Sequence, residues 1–176
     1  MSAAVMNIED SVLVRKVREA FIGQIIETVV FRGEVTHLVD RTTVRNLCNF
    51  LKIDPDLSMN FIVDVAGADY YGENPRFEVV YHLYSIRKKH RIRVKVRVNE
   101  GETVPSVTSI WPGADWPERE VYDMFGIAFD GHPNMKRIYM AEDWEGYPLR
   151  KDYPLRGYKD RYNPNGEEKE PESITD

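Results

Sequence analysis

The stretch RFEVVYHLYSIRKKHRIRVKVRV, Arg76 to Val98, alternates apolar and polar side chains twice, on either side of a polar link. Ile92, Val94, Val96 and Val98 interleave with Arg91, Arg93, Lys95 and Arg97, and a period of two puts each set on its own face of a β-strand. Phe77, Val79, Tyr81 and Leu83 oppose Glu78, Val80, His82 and Tyr84 in the same way. Two such runs read as neighbouring strands that offer helices one apolar face and leave a row of positive charge on the other. That row is either a solvated face, with Glu78 paired across to a basic neighbour, or a docking face for an acidic partner or anionic lipid.

Working outward, NFIVDVAGADYY precedes these runs as a third strand, with turn chemistry at Gly72-Glu73-Asn74-Pro75. Upstream, Val12, Val14, Val17, Ala20 and Phe21 recur near helical spacing behind an Asp/Ser cap. QIIETVVF and EVTHLVD flank Arg32-Gly33 as a hairpin. A second helix runs from about Thr42 to Lys52, capped by Asp40 or Thr42 and closed at Asp54-Pro55. After Pro105 the turn Trp111-Pro112-Gly113 opens a short helix with early Asp115, Glu118 and Glu120 at the positive end of its dipole. Val121, Met124 and Phe125 form its buried stripe, and Arg119 and Asp123, four apart, pair on its surface. The order α-β-β-α-β-β-β-α predicts an α+β fold, a two-layer helix-on-sheet domain with a largely antiparallel or mixed sheet.

Composition excludes several functions. The 176 residues, 42% hydrophobic and 30% charged with a net charge of -5, suit one soluble core and argue against a general nucleic-acid binder. Neither a membrane span nor a signal peptide is expected, since MSAAVMNIED has no basic n-region and no window approaches about 18 apolar residues. The single cysteine, Cys48, makes no internal disulfide or cysteine-rich metal site and reads as a core residue. His37, His82, His90 and His132 stand singly, and no nucleotide loop or serine elbow occurs. Glu118 and Glu120 could in principle be an acid/base pair, but two positions apart they point to different sides of a helix. A solvated or partner-facing acidic helix is the expected alternative.

Beyond Gly126 periodicity fades. GHPNMKRIYM offers at most one short strand, and AEDWEGYPLRKDYPLRGYKDRYNPNG is rich in Pro, Gly, Tyr and Arg without a hydrophobic period. Its Trp144, Tyr147, Tyr153, Tyr158 and Tyr162 set it apart from disordered sequence and match the residue types enriched at interface hot spots. The expected organisation is an α+β core over residues 1–130, an extended partner-wrapping arm over 131–165 and an acidic flexible tail over 166–176.

The run VPSVTSIWPGADWPEREVYDMFGIAFDGHP followed by EGYPLRKDYPL closely resembles the C subunit of the respiratory NADH:quinone oxidoreductase, complex I. The family signature is carried here by Glu118, Arg119, Glu120, Asp123, Met124, Phe125 and Gly126, and the likeness extends back through FIVDVAGADYY and RFEVVYHLYS. Tyr147 departs from it, standing where the family more often has His before Pro-Leu-Arg-Lys-Asp. The resemblance implies a subunit without catalytic residues or cofactors of its own, on the cytoplasmic side of the membrane, in the hydrophilic arm of a complex whose FMN, iron–sulfur clusters and quinone lie on other subunits. It implies that the arm embraces a D-type, hydrogenase-large-subunit-like partner, with a B-type subunit beside it at the quinone pocket and terminal cluster. Glu118, Arg119, Glu120, Asp123, His132, Trp144, Tyr147, Arg150, Lys151, Asp152, Tyr153 and Pro154 are then the interface residues. Three alternatives stand beside this reading. One is the equivalent subunit of a ferredoxin-linked photosynthetic complex, a coenzyme F420 dehydrogenase or a membrane-bound hydrogenase. The others are a free-standing enzyme using the carboxylates near Glu118, and an independent module binding an acidic ligand along Arg91–Arg97.

Overall fold

The computed structural model describes residues 11–169, so the start of the chain and the end of the acidic tail, 170–176, lie outside the described residues. The elements are α1 (Val12–Ala20), β1 (Ile25–Phe31), β2 (Glu34–Val39), α2 (Arg41–Ile53), β3 (Phe61–Asp69), β4 (Phe77–Ser85), β5 (His90–Val98), β6 (Thr103–Pro105), α3 (Asp115–Phe125) and β7 (Ala128–Asp130). Five strands form one sheet in the order β1-β2-β5-β4-β3. Its pairs are antiparallel except β2 with β5, so the sheet is mixed.

Local chemistry sets each boundary. The Ser11 hydroxyl caps α1, and the Asp40 carboxylate caps α2 by accepting from the Thr42 N–H at 2.8 Å. Arg32 and Gly33 both take positive φ (49° and 82°), as a two-residue hairpin of right-handed twist requires. Gly126 ends α3 in the left-handed region at φ 79°. The inward face of the sheet is built from Val35, Val39, Val79, Tyr81, Leu83, Ile92, Val94 and Val96, all buried. Leu13, Val14 and Val17 of α1 and Val44, Leu47, Cys48 and Leu51 of α2 complete that core. The two helices lock edge to face through Phe21 and Phe50, with ring centroids 5.5 Å apart, and through Lys16 and Asp54 at 2.9 Å. Val98, Val104, Val107, Val121 and Ile127 extend the same core beneath α3.

The second sheet was not anticipated from the sequence. β6 and β7 pair in parallel, with Val104 beside Phe129. Parallel strands need a crossover, and α3 supplies it, so β6-α3-β7 is a small βαβ unit set against the main sheet. GHPNMKRIYM forms no strand: it turns over α3 instead.

Opposite the helices the basic row of β5 is largely paired. Lys95 meets Glu78 at 2.7 Å, Arg97 reaches Glu78 and Glu73, and Arg93 meets Glu34 at 2.8 Å. Glu78 is 2% exposed, so its negative charge needs this compensation. For Arg93, Lys95 and Arg97 the cross-strand pairing reading therefore holds, and the free docking row does not.

Candidate functional site

The signature residues surround α3 and fasten the arm to the domain. Glu118 is buried completely on the inner side of the helix. It accepts from the Ser106 hydroxyl at 2.7 Å and the Val107 N–H at 2.8 Å, which ties the helix to the turn after β6. Burial pushes its pKa up to about 7, against those two hydrogen bonds, which favour the charged form. Cys48 and Tyr81 lie in the same interior, and burial likewise raises the thiol pKa well above its usual range. Among the described residues no cluster of His, Cys, Asp and Glu could hold a metal ion. A carboxylate sealed in the core cannot serve as an acid/base partner of Glu120, which is exposed on the other side of the helix.

The expected surface pair of Arg119 with Asp123 does not form. Asp123 is buried, and its Oδ1 takes Arg137 at 2.6 Å while Oδ2 accepts backbone N–H groups from Ile138, Tyr139 and Met140 at 3.0, 2.8 and 2.9 Å. Burial pushes its pKa up, but the backbone donors and Arg137 outweigh that and hold it below the ordinary range. Arg119 instead donates to the carbonyls of Lys136 (3.0 Å) and Arg137 (3.1 Å). Both residues thus shape the 136–140 turn, and the expectation of a solvated acidic helix fails for Glu118 and Asp123 because the interior already supplies their donors.

Further along, Arg150 caps the end of α3, donating its Nε to the Phe125 carbonyl at 2.7 Å and pairing with Glu100. Its guanidinium stacks on Tyr147 and Phe77, at 4.5 and 5.0 Å from the ring centroids. This crowding requires glycine at 126, where a Cβ would stand 2.6 Å from the Tyr147 ring and 2.7 Å from the Arg150 guanidinium. Arg76 forks between Asp69, with two 2.8 Å bonds, and Asp152, with bonds of 2.7 and 3.0 Å. Asp69 also accepts the Lys151 N–H at 2.8 Å, closing the clamp.

The remaining expected residues divide between inside and out. The His132 side chain is buried, with Nδ1 accepting from the Asn134 N–H at 3.0 Å. Its Nε2 then carries the proton, 3.2 Å from the Asp115 carbonyl, so the ring staples the loop to the start of α3. Tyr153 packs edge-on against Tyr158 at 5.2 Å, Trp144 lies 6.1 Å from Tyr162, and Pro154 is half-buried with its carbonyl accepting from Gly157. Only Glu120, Lys151 and Asp152 of the expected set are exposed. The outward face also carries residues that sequence reasoning did not select: Trp116 (69% exposed), Tyr139 and Leu155. Trp116 and Glu120 share one side of α3 at a spacing of four, and the Tyr139 hydroxyl donates to Glu120 at 3.3 Å. A tryptophan in the first turn of a helix opening Asp-Trp-Pro-Glu, off the apolar stripe of Val121, Met124 and Phe125, was the available signal for Trp116.

Fold and site together define a class: a two-layer α+β domain whose C-terminal arm is fastened to its own surface by buried ion pairs and an α3 cap. Within that class the chain belongs to the family of the respiratory-chain NADH dehydrogenase 30 Kd subunit, whose sequence model matches residues 37–159. It is 47% identical over 157 residues to the second NADH-quinone oxidoreductase C subunit of Rhizobium meliloti (strain 1021), covering 89% of this chain and 86% of that protein. It is 49% identical over 150 residues to the NADH-quinone oxidoreductase C subunit of Geotalea uraniireducens (strain Rf4), covering 85% and 90%. Among solved structures, a chain of the membrane-bound sulfane sulfur reductase, an archaeal respiratory membrane complex, superposes with a TM-score of 0.70 at 26% identity, covering 81% of this chain and 84% of that one. No helix among the described residues is long and apolar enough to cross a membrane.

Proposed function

We propose that this chain is a structural and assembly subunit of the peripheral arm of a proton-pumping NADH:quinone oxidoreductase. It holds no cofactor itself and docks on a D-type subunit next to a B-type subunit, near the quinone site and the terminal iron–sulfur cluster. It stands on the cytoplasmic side of the membrane as a peripheral subunit and supports electron transfer from NADH to quinone by fixing its neighbours in place. The observation that carries this reading is the partition of the side chains around α3: Glu118, Asp123 and Arg150 are engaged within the chain, whereas Trp116, Glu120 and Tyr139 face outward as an amphipathic row. Tryptophan and tyrosine beside a charge are the composition of an interface centre. In a pull-down with the D-type subunit, Trp116→Ala should weaken binding about tenfold or more and Glu120→Ala a few-fold, as expected for an anchor and a rim charge. Arg150→Ala should weaken it by loosening the arm. Equal affinity of wild type and all three variants would remove these residues from the interface.

The archaeal superposition favours a second reading, the equivalent subunit of a related membrane complex with another electron donor or acceptor. Affinity purification from gently solubilised membranes separates the two. NADH-oxidising subunits in the eluate support complex I, and hydrogenase or reductase subunits in their place support the relative.

A further inference from the structure

One end of the sheet, away from the Arg76–Asp152 clamp, carries exposed charges and apolar side chains. β1 ends there, β3 begins there, and the β4–β5 turn closes it, so strand register brings Phe31, Glu34, Arg91, Tyr84 and Phe61 into one row across all five strands. Phe31, Phe61, Val63 and Ile86 are 67%, 48%, 56% and 49% exposed. Arg32, Arg87, Lys88, Lys89 and Arg91 rim the same end, all exposed, and none forms an ion pair among the described residues, in contrast to Arg93, Lys95 and Arg97. In a chain of net charge -5 such a local excess of positive charge is not a consequence of composition. Between the rim and β3 lies a groove of about 190 Å3, lined by Glu34, Val63, His82, Tyr84, Arg91 and Arg93. The Arg91 guanidinium is held over the Tyr84 ring at 5.6 Å, which preorganises it beside the groove.

We infer that this end of the sheet is a second docking surface, for an acidic segment of a protein neighbour that also carries apolar side chains. Five strands at a spacing of about 4.8 Å make the row from Phe31 to Phe61 roughly 19 Å wide, the span of about six extended residues. Carboxylates on such a segment meet Arg32, Arg87, Lys88, Lys89 and Arg91, and its apolar side chains cover Phe61, Val63 and the groove. An anionic membrane fits less well. Asp64 and His82 share this face with the apolar residues, and burying them against lipid would leave polar groups without partners, whereas a peptide backbone can supply them.

The inference rests on the complex-subunit reading, and the test separates the two. A photo-reactive phenylalanine analogue replaces Phe61, or in a second strain Ile86, in the intact membrane complex, and irradiated products are mapped by mass spectrometry. The expected product joins this chain to a segment of another subunit rich in Asp or Glu interspersed with apolar residues. Reversing Arg87, Lys88, Lys89 and Arg91 to Glu should cut its yield by about tenfold or more while the D-type subunit still co-purifies and the melting temperature of the purified chain is unchanged. Cross-links to phospholipid, to a second copy of this chain, to a segment without acidic residues, or no product from either position would each overturn the inference. Loss of all companion subunits from the unmodified strain would instead overturn the complex-subunit reading.

Discussion

Glu118 and His37 titrate inside the same fold with opposite effects on its stability. The Glu118 pKa is raised by burial from 4.5 to about 7, so the folded state holds a proton that the unfolded state has lost. Its contribution is complete below about pH 4.5 and is lost as pH rises to about 7. His37 is lowered by burial from 6.5 to about 4, so the unfolded state binds the extra proton and stability rises with pH over that interval. The two slopes largely cancel in the wild type. In Glu118→Gln the amide still accepts from Val107 but no longer ionises, which leaves the His37 slope unmasked. Denaturant melts of the variant should gain on wild type by on the order of 1 kcal/mol per pH unit between about pH 4.5 and 7, and parallel curves would refute the assignment. A burial signal for Glu118 was in fact present in the sequence, since positions 118, 121 and 125 share one helical stripe. Asp123 gave no comparable signal, because its donors come from a turn fourteen or more residues later whose path no periodicity encodes.

Among the elements, long runs with a clean period were legible and short or aperiodic ones were not. β4 and β5 alternate over nine residues each, and α2 buries a regular stripe over thirteen. β6 and β7 have three residues each, too few to show alternation, so the βαβ unit around α3 could not be read. The arm was legible in composition but not in path. Its aromatics and arginines, selected as hot-spot types, first serve to seat it on α3 and β4. Arg150→Ala removes the α3 cap, the Glu100 pair and the stack on Tyr147 together. Hydrogen exchange in residues 147–153 should then quicken at least tenfold, while β4 and β5 amides keep wild-type protection, since local opening of the arm need not unfold the sheet. Gly126→Ala should act on the same element by steric force, because φ 79° disfavours a side chain and the Tyr147 ring occupies its place. A loss of about 2 kcal/mol or more in a denaturant melt is expected, and a neutral outcome would mean that the arm does not close on α3.

At the scale of the whole molecule, residue 130 divides core from arm in composition, but the packing crosses it. A chain ending at Asp130 keeps β1–β7 and α1–α3, yet it removes Arg137 and the three N–H groups of 138–140 that hold the Asp123 carboxylate within the fold. Stripping the partners from a buried charge typically costs about 3–5 kcal/mol, far more than a frayed terminus. For a domain of this size each kcal/mol moves the melting temperature by roughly 2–4 °C, so the fragment 1–130 should melt about 10 °C or more below the full chain. Extending it only to residue 142 restores every Asp123 donor and should recover most of the deficit, although the Arg150 and Asp152 clamps are still missing. Asp123→Asn within the fragment 1–130 should recover part of it too, by removing the unpaired charge. Calorimetry on the three fragments and the full chain distinguishes this account from simple loss of apolar cover. Cover lost in proportion to length would give a graded series, and the aspartate account requires a step between residues 130 and 142 that Asp123→Asn reduces.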